Sequence, residues 1–383
     1  MKTLQKIGTG LFCFIFLILS YQETKATHVL GGTIRYECVG PNQYEVTTTL
    51  YRDCNGINFP GSRTISWTGS LGSGSSTATI VPGSRKDITP FSPSACNGGT
   101  GALGAEEQSY STIITILSGC TDVTFSSSVC CHGGLVSVSG SPPAYVECKI
   151  VGPVSFCNNA PYFTNPPLIF TCINNTFSYN PGAIDPDGDS LVYSLVDAMS
   201  SSGKLVNYMP SFSGTQPLGA SSPITIDPLT GAIIGSPTLV GGSVLLTVFV
   251  EEYRNGILIG SVLRSTELMI LTCNNNQAPT MSGINGGTAA SDYSLTTCFN
   301  SSVAFDLIGI DLDNDDIQMN WNQGISSASF TTGTGFSSSP DTAHFSWQPT
   351  SSHLGNNYFT VMVSDTVTPI SGYNMFTYNI NVT

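Results

Sequence analysis

The chain repeats itself, and the repeat carries cysteines and aspartates at matched intervals. Cys172 precedes Asp185 by thirteen residues, and Cys298 precedes Asp311 by the same thirteen. "DPDGDSLVYSL" (185–195) matches "DLDNDDIQMNW" (311–321), "GSPT" (235–238) matches "WQPT" (347–350), and "LTVFVEE" (246–252) matches "FTVMVSD" (359–365). "NNAP" (158–161) and "NQAP" (276–279) open the two units. Self-similarity of this kind means two copies of one supersecondary unit. Each copy holds roughly 100 residues of short alternating apolar runs, the size of an immunoglobulin-like β-sandwich.

The residues before the repeat read differently. Lys2 and Lys6 precede an apolar run from Leu11 to Leu19, and Thr24-Lys25-Ala26 offers small residues at −3 and −1. That pattern is a secretory leader over 1–26, with an apolar run too short to span a bilayer. No second run of spanning length follows, so no membrane span is expected in the mature chain. Residues 27–157 hold eight cysteines, at 38, 54, 96, 120, 130, 131, 148 and 157. Ile34, Tyr36 and Cys38 alternate with polar residues, Gly40-Pro41-Asn42 supplies a turn, and Tyr44, Val46, Thr48 and Leu50 alternate again, the signature of a β-hairpin. The expected architecture is therefore all-β: a disulfide-rich domain over 27–157, then immunoglobulin-like sandwiches over 158–276 and 277–383. Eight cysteines allow 105 pairings, and spacing selects none of them.

Cysteine arithmetic bears on the repeats as well. Twelve cysteines are present, and Cys13 lies in the leader, leaving an odd number for an oxidising compartment. Cys172 stands near the start of the first sandwich and Cys273 at the end of its last expected strand, so a Cys172–Cys273 bridge is expected. The equivalent partner of Cys298 falls near position 385, past Thr383. The sequence is therefore expected to stop within its last strand, leaving Cys298 unpaired or bridged to another molecule.

"GGTIRYECVGPNQYEVTTTLYRDCNG", "CCHGG" and "NNAPYFTNPPLIFTCINNTFSYNPGAIDPDGDSLVYSL" resemble the N-terminal part of large secreted proteins of Bacteroidetes. Those proteins carry immunoglobulin-like, PKD-like or cadherin-like repeats and are often labelled gliding-motility-associated. The resemblance covers nearly all of 28–383 and is strongest at 28–56 and 157–195. It implies export by the type IX route to the extracellular face of the outer membrane, and a role in adhesion or motility. The C-terminal sorting domain of such proteins is not found within these residues.

Asp185, Asp187 and Asp189 alternate along one loop, and three carboxylates so close repel unless a cation joins them. Calcium takes six to eight oxygen ligands and suits such a loop. Gly188 comes too early for an EF-hand, and Val196 occupies the place of its closing Glu. The loop is similar to the DxDGD loops of cadherin-like and PKD-like sandwiches, and that resemblance implies a late acidic partner, Glu251 or Glu252. In the second copy the matching residues are Asp311, Asp313, Asp315 and Asp316, with Asp365 as the late partner. The competing reading is an acidic turn, since Pro186 presets φ and Gly188 tolerates positive φ.

Other chemistry has little support. A net charge of −13 with 10% charged residues disfavours nucleic acid. "GTGALG" (99–104) satisfies GxGxxG but lacks the strand before and helix after that a dinucleotide site needs. Cys130-Cys131-His132 reads as disulfide chemistry before metal, and neither GxSxG nor HExxH occurs. The expectation is a non-enzymatic secreted or surface protein with calcium-stiffened repeats, its partners being surface proteins or extracellular glycans. The alternative is a carbohydrate- or protein-binding module acting through 27–157.

Overall fold

A computed structural model describes residues 29–383 apart from 91–92, 102, 239–240, 274–275, 334 and 368–370. The leader expected at 1–26 lies outside the described residues. Regular structure among them consists of strands and short 3-10 turns, with no α-helix.

Strict alternation builds the first hairpin. Val29–Gly40 pairs antiparallel with Gln43–Asp53, setting Tyr36 opposite Val46 and Cys38 opposite Tyr44. The chain reverses through Asn42 at φ +58°, a conformation that Asn tolerates better than most residues. Ile34, Tyr36, Tyr44 and Val46 point inward and are fully buried. Full burial of one such apolar side chain contributes about 1.5–3 kcal/mol.

From this hairpin the sheet runs through Ala105–Thr115, Gly72–Ile80, Ser62–Gly69, Thr124–Val129 and Ala144–Ile150. The eighth strand is Ile257–Leu271. Its Gly260, Ser261 and Val262 pair with Ala144–Ile150, and its Ser265 and Thr266 pair with Gly32 and Gly31. Eight strands thus close into a ring around one core in which Phe125, Tyr110 and Val262 are buried. Closure removes the two open edges that the first seven strands would otherwise present. The sheet consequently runs across the 157/158 boundary expected from sequence.

Both repeats show one topology. In the first, Phe170–Cys172 lies parallel to the end of Ile257–Leu271, which pairs with Gly242–Arg254, which pairs with Ser190–Leu195. In the second, Ser294–Thr297 lies parallel to Tyr373–Val382, followed by Gly355–Asp365 and Ile317–Trp321. A second sheet faces each of these: Phe177–Tyr179, Ile233–Gly235 and Ile224–Ile226 in the first repeat. In the second repeat it is Thr280–Met281, Val303–Ile310, Asp341–Trp347 and Ser329–Thr331. Val303–Ile310 shows why the layers separate, since Val303, Phe305 and Leu307 are buried and the residues between them are exposed.

The three units are fastened to one another. Cys38 is bonded to Cys157, directly before the first repeat opens. Tyr373 and Met375 of the second repeat enter the core of the first. The Tyr373 hydroxyl donates to the Phe170 carbonyl at 3.0 Å, and the Ser178 hydroxyl to the Met375 carbonyl at 2.6 Å. Cys172 and Cys273 are bonded with their Cα atoms 5.6 Å apart. Closing a loop with a sequence separation of 101 residues contributes about 4–5 kcal/mol in the chain-entropy view. Cys54 is bonded to Cys96 and Cys130 to Cys131, while Cys120 and Cys148 are free and buried and Cys298 is free and exposed.

Candidate cation sites at the domain junctions

Each aspartate loop crosses from one sheet of its sandwich to the other, at the end where the preceding unit joins. In the first loop Asp185 Oδ1 accepts the amides of Asp187 and Asp189, at 2.9 and 3.0 Å. Gly188 turns the chain at φ +82°. The linker residue Asn159 clamps Asp187, its amide donating to Oδ2 at 2.9 Å and its Nδ2 to Oδ1 at 2.8 Å. Asn158 donates through Nδ2 to Glu252 Oε1 at 2.7 Å and to the Tyr36 hydroxyl at 3.1 Å, tying the loop to the ring.

Asp185, Asp189 and Glu252 bring carboxylate oxygens within 4.8 Å of one another. Asp187 stands outside that group. Glu251 is the neighbour of Glu252 on a strand, where successive side chains face opposite ways, and it too stays outside. Arg254 is the cation present. Its Nε donates to Asp189 Oδ1 at 2.9 Å and Oδ2 at 3.1 Å, and its Nη2 to Asp189 Oδ2 at 2.5 Å. The same Nη2 reaches Asn158 Oδ1 at 2.8 Å and Asp187 Oδ2 at 3.3 Å.

Burial governs the protonation of this group. Glu252 is wholly buried, and desolvation, reinforced by the charges of Asp185 and Asp189 against the Asn158 hydrogen bond, pushes it up to about 8. Asp185 is pushed up to about 6, chiefly by burial. At neutral pH Glu252 therefore keeps its proton. Two buried oxygens have no donor here among the described residues, Asp185 Oδ2 and Glu252 Oε2.

The second loop repeats the frame. Asp311 Oδ1 accepts the amides of Asp313 and Asp315 at 2.8 and 3.1 Å, and Asn314 turns the chain at φ +63° where Gly188 stood. Gln277 clamps Asp313, its amide donating to Oδ2 at 2.8 Å. Asn276 donates to Asp365 Oδ2 at 2.8 Å, as Asn158 does to Glu252. Asp311, Asp313 and Asp315 form a group with oxygens within 4.8 Å, and Asp316 stands outside it, exposed. Asp365 is buried and its oxygens also accept the amides of Val367 and Gly372, at 3.0–3.1 Å. It therefore backs the loop without joining the group. Burial raises Asp311 above the ordinary aspartate value, and Asp365 to about 6. Two buried oxygens have no donor among the described residues, Asp311 Oδ2 and Asn276 Oδ1. The donor set is entirely oxygen, as calcium prefers.

Arg254, Asn158, Asn159, Asn276 and Gln277 complete these sites without having been singled out in the sequence. The signal available was "NNAP" and "NQAP", read only as repeat openings. Of the remaining motifs, "GTGALG" leads into the strand Ala105–Thr115, and the sulfurs of Cys130 and Cys131 are bonded to each other, leaving no thiolate for a metal. A separate groove of about 630 Å³ lies where the three units meet, lined among others by Arg35, Tyr51, Glu107, Tyr162, Arg264 and Met375.

No protein-family profile and no curated protein matches this chain. Solved structures do. The tandem Ig repeats of Dlar are 12% identical, covering 58% of this chain and 94% of that one, with a TM-score of 0.23. A Dpr2 Ig1-Ig2 complex with DIP-Theta Ig1-Ig3 is 7% identical, covering 90% and 95%, with a TM-score of 0.21. An endo-fucoidan hydrolase of glycoside hydrolase family 107 is 15% identical, covering 88% of this chain and 42% of that one, with a TM-score of 0.20. Likeness at this level carries no argument about function. The chain's own sheets define its class: tandem immunoglobulin-like sandwiches behind a disulfide-bonded β-ring. Among the described residues no helix is long and apolar enough to cross a membrane.

Proposed function

We propose that this chain is a non-enzymatic, extracellular structural and adhesive module, and that calcium held in the acidic loops at its repeat junctions stiffens it. Its partners are surface proteins or extracellular glycans met outside the cell, the destination that the leader and the dense disulfides favour. One observation carries the calcium reading: Asp311 Oδ2, buried and without a donor, in a cluster of three aspartates. A buried carboxylate left unpaired is costly, and a cation removes that cost. Bound there, calcium would be held by Asp311, Asp313 and Asp315 and would fix the loop against the 276–279 linker. Surface display and gliding motility rest on the family resemblance and are part of the same proposal.

The test is thermal unfolding of residues 27–383 with calcium and with a chelator. Calcium at about 100 times its Kd stabilises by about 2.7 kcal/mol, which for residues 27–383 unfolding together raises Tm by roughly 3–4 °C. An unchanged Tm removes calcium from the account. The groove favours a second reading, recognition through the 27–157 ring, because aromatic and charged groups converge there. Glycan or protein binding that persists in chelator belongs to that reading.

A further inference from the structure

The two loops share one frame but differ in what neutralises them. Both place the first aspartate as acceptor of the amides two and four residues on, both clamp the second aspartate from the linker, and both set a linker Asn against the late acid. Two residues past the late acid, the first repeat has Arg254 and the second has Val367.

The consequence can be followed oxygen by oxygen. In the first loop Arg254 grips Asp189 with two nitrogens, touches Asp187 and gives Asn158 Oδ1 its donor. In the second loop no guanidinium or ammonium among the described residues donates to the aspartates. All twelve Lys and Arg residues of the chain lie at or before Arg264, and residues 277–383 hold eight Asp with no Lys or Arg. The amide oxygen of Asn276, matching the one that Arg254 satisfies, is left without a donor although the residue is only 6% exposed. Asp311, 2% exposed, keeps Oδ2 unpartnered just as Asp185 does in the first loop, but no side chain among the described residues donates to Asp315, whereas Asp189 has Arg254. An amide oxygen cannot take up a proton under ordinary conditions, so a cation or a donor from outside the chain has to satisfy it.

We propose that Arg254 is a tethered cation filling the first loop, and that the chain takes its divalent cation at the second loop alone. The inference rests on the calcium reading above and narrows it to one ion per chain. A guanidinium bound to two carboxylates and an amide oxygen is a local partner that an incoming ion must displace at the cost of several charge-assisted hydrogen bonds. The second loop has no such competitor.

The test is calorimetric titration of calcium alone into the folded chain, residues 27–383, at moderate ionic strength. The expected stoichiometry is one ion per chain, lost or weakened at least tenfold in Asp311→Asn. Arg254→Val, which copies the second repeat, is expected to raise the stoichiometry to two, and Arg254→Lys, which keeps a tethered charge, to leave it at one. Circular dichroism establishes that each variant is folded. Two ions in the unaltered chain, one ion that survives Asp311→Asn, or a folded Arg254→Val chain still binding one would each overturn the inference and leave the calcium reading standing. No binding to any form would overturn both. The first two outcomes do not depend on whether Arg254→Val folds.

Discussion

Glu252 shows how far one side chain's chemistry is set by its neighbours. It faces Asn158, Asp185, Asp189 and Tyr36, with Arg254 two residues on, and holds a proton up to about pH 8. An ordinary Glu loses its proton near pH 4.3. Between those values the folded chain binds more protons than the unfolded one, so stability falls as pH rises. Without divalent cations, Tm is expected to decline by on the order of 5 °C from pH 5 to pH 8. Glu252→Gln keeps the acceptor for Asn158 and supplies an N–H in place of the proton, so it should flatten that decline; scans at several pH values decide it. A decline equally steep in the variant would assign it to other groups. Asp365, raised to about 6, adds a smaller slope of the same sign below that pH.

At the scale of elements, each late acid sits against a glycine whose missing side chain leaves it room. A Cβ on Gly260 would lie 2.3 Å from Glu252 Oε2 and 3.0 Å from the Tyr36 hydroxyl. In the second repeat a Cβ on Gly372 would meet Asp365 Oδ2 at 2.8 Å and the Ala278 backbone at 2.6 Å. Each glycine lets backbone lie directly against its acid and adds to the burial that raises the acid's pKa. Gly260→Ala should therefore cost about 1–3 kcal/mol by overpacking. It should also perturb the Tyr36 environment, and denaturant unfolding followed by tyrosine fluorescence checks both effects. A stability change within about 0.5 kcal/mol, the range usual for surface positions, would mean the strands yield freely.

The molecule as a whole is tied together by strand Ile257–Leu271, which belongs to the first repeat's sandwich and also closes the ring. Val262 reaches the ring core, Leu268 and Ile270 the sandwich core. Residues 27–157 expressed alone should consequently leave Val29–Gly40 and Ala144–Ile150 with unpaired edges and associate. Size-exclusion chromatography and a cooperative melt test this, with 27–383 as the control; a monomeric, cooperatively folding 27–157 would show that the eighth strand is dispensable. The joint between ring and first repeat is thus held by covalent and sheet continuity, and the cation loops add to a junction already anchored.

Much of this could be read along the chain, because alternation and spacing are local properties. The first hairpin follows from residues 34–50 alone, where Ile34, Tyr36, Tyr44, Val46 and Leu50 fall on one face and an Asn ends the turn. The duplicated sandwiches follow from two sequence copies, since equal patterns bury equal faces. The aspartate loops are visible for the same reason, with carboxylates at alternate positions between strands. Their neutralisation is not visible, because it depends on residues 28 to 96 positions away. Asn159 reaches Asp187, Arg254 reaches Asp189 and Asn158, and Glu252, not Glu251, faces inward through its place on a strand. Ring closure by Ile257–Leu271 escapes any local pattern as well, for a strand's own sequence states which face is apolar and leaves open which edges it will find. Partners across a sheet edge and protons on a buried acid are properties of distance and dielectric, and both come into being only when the chain has packed.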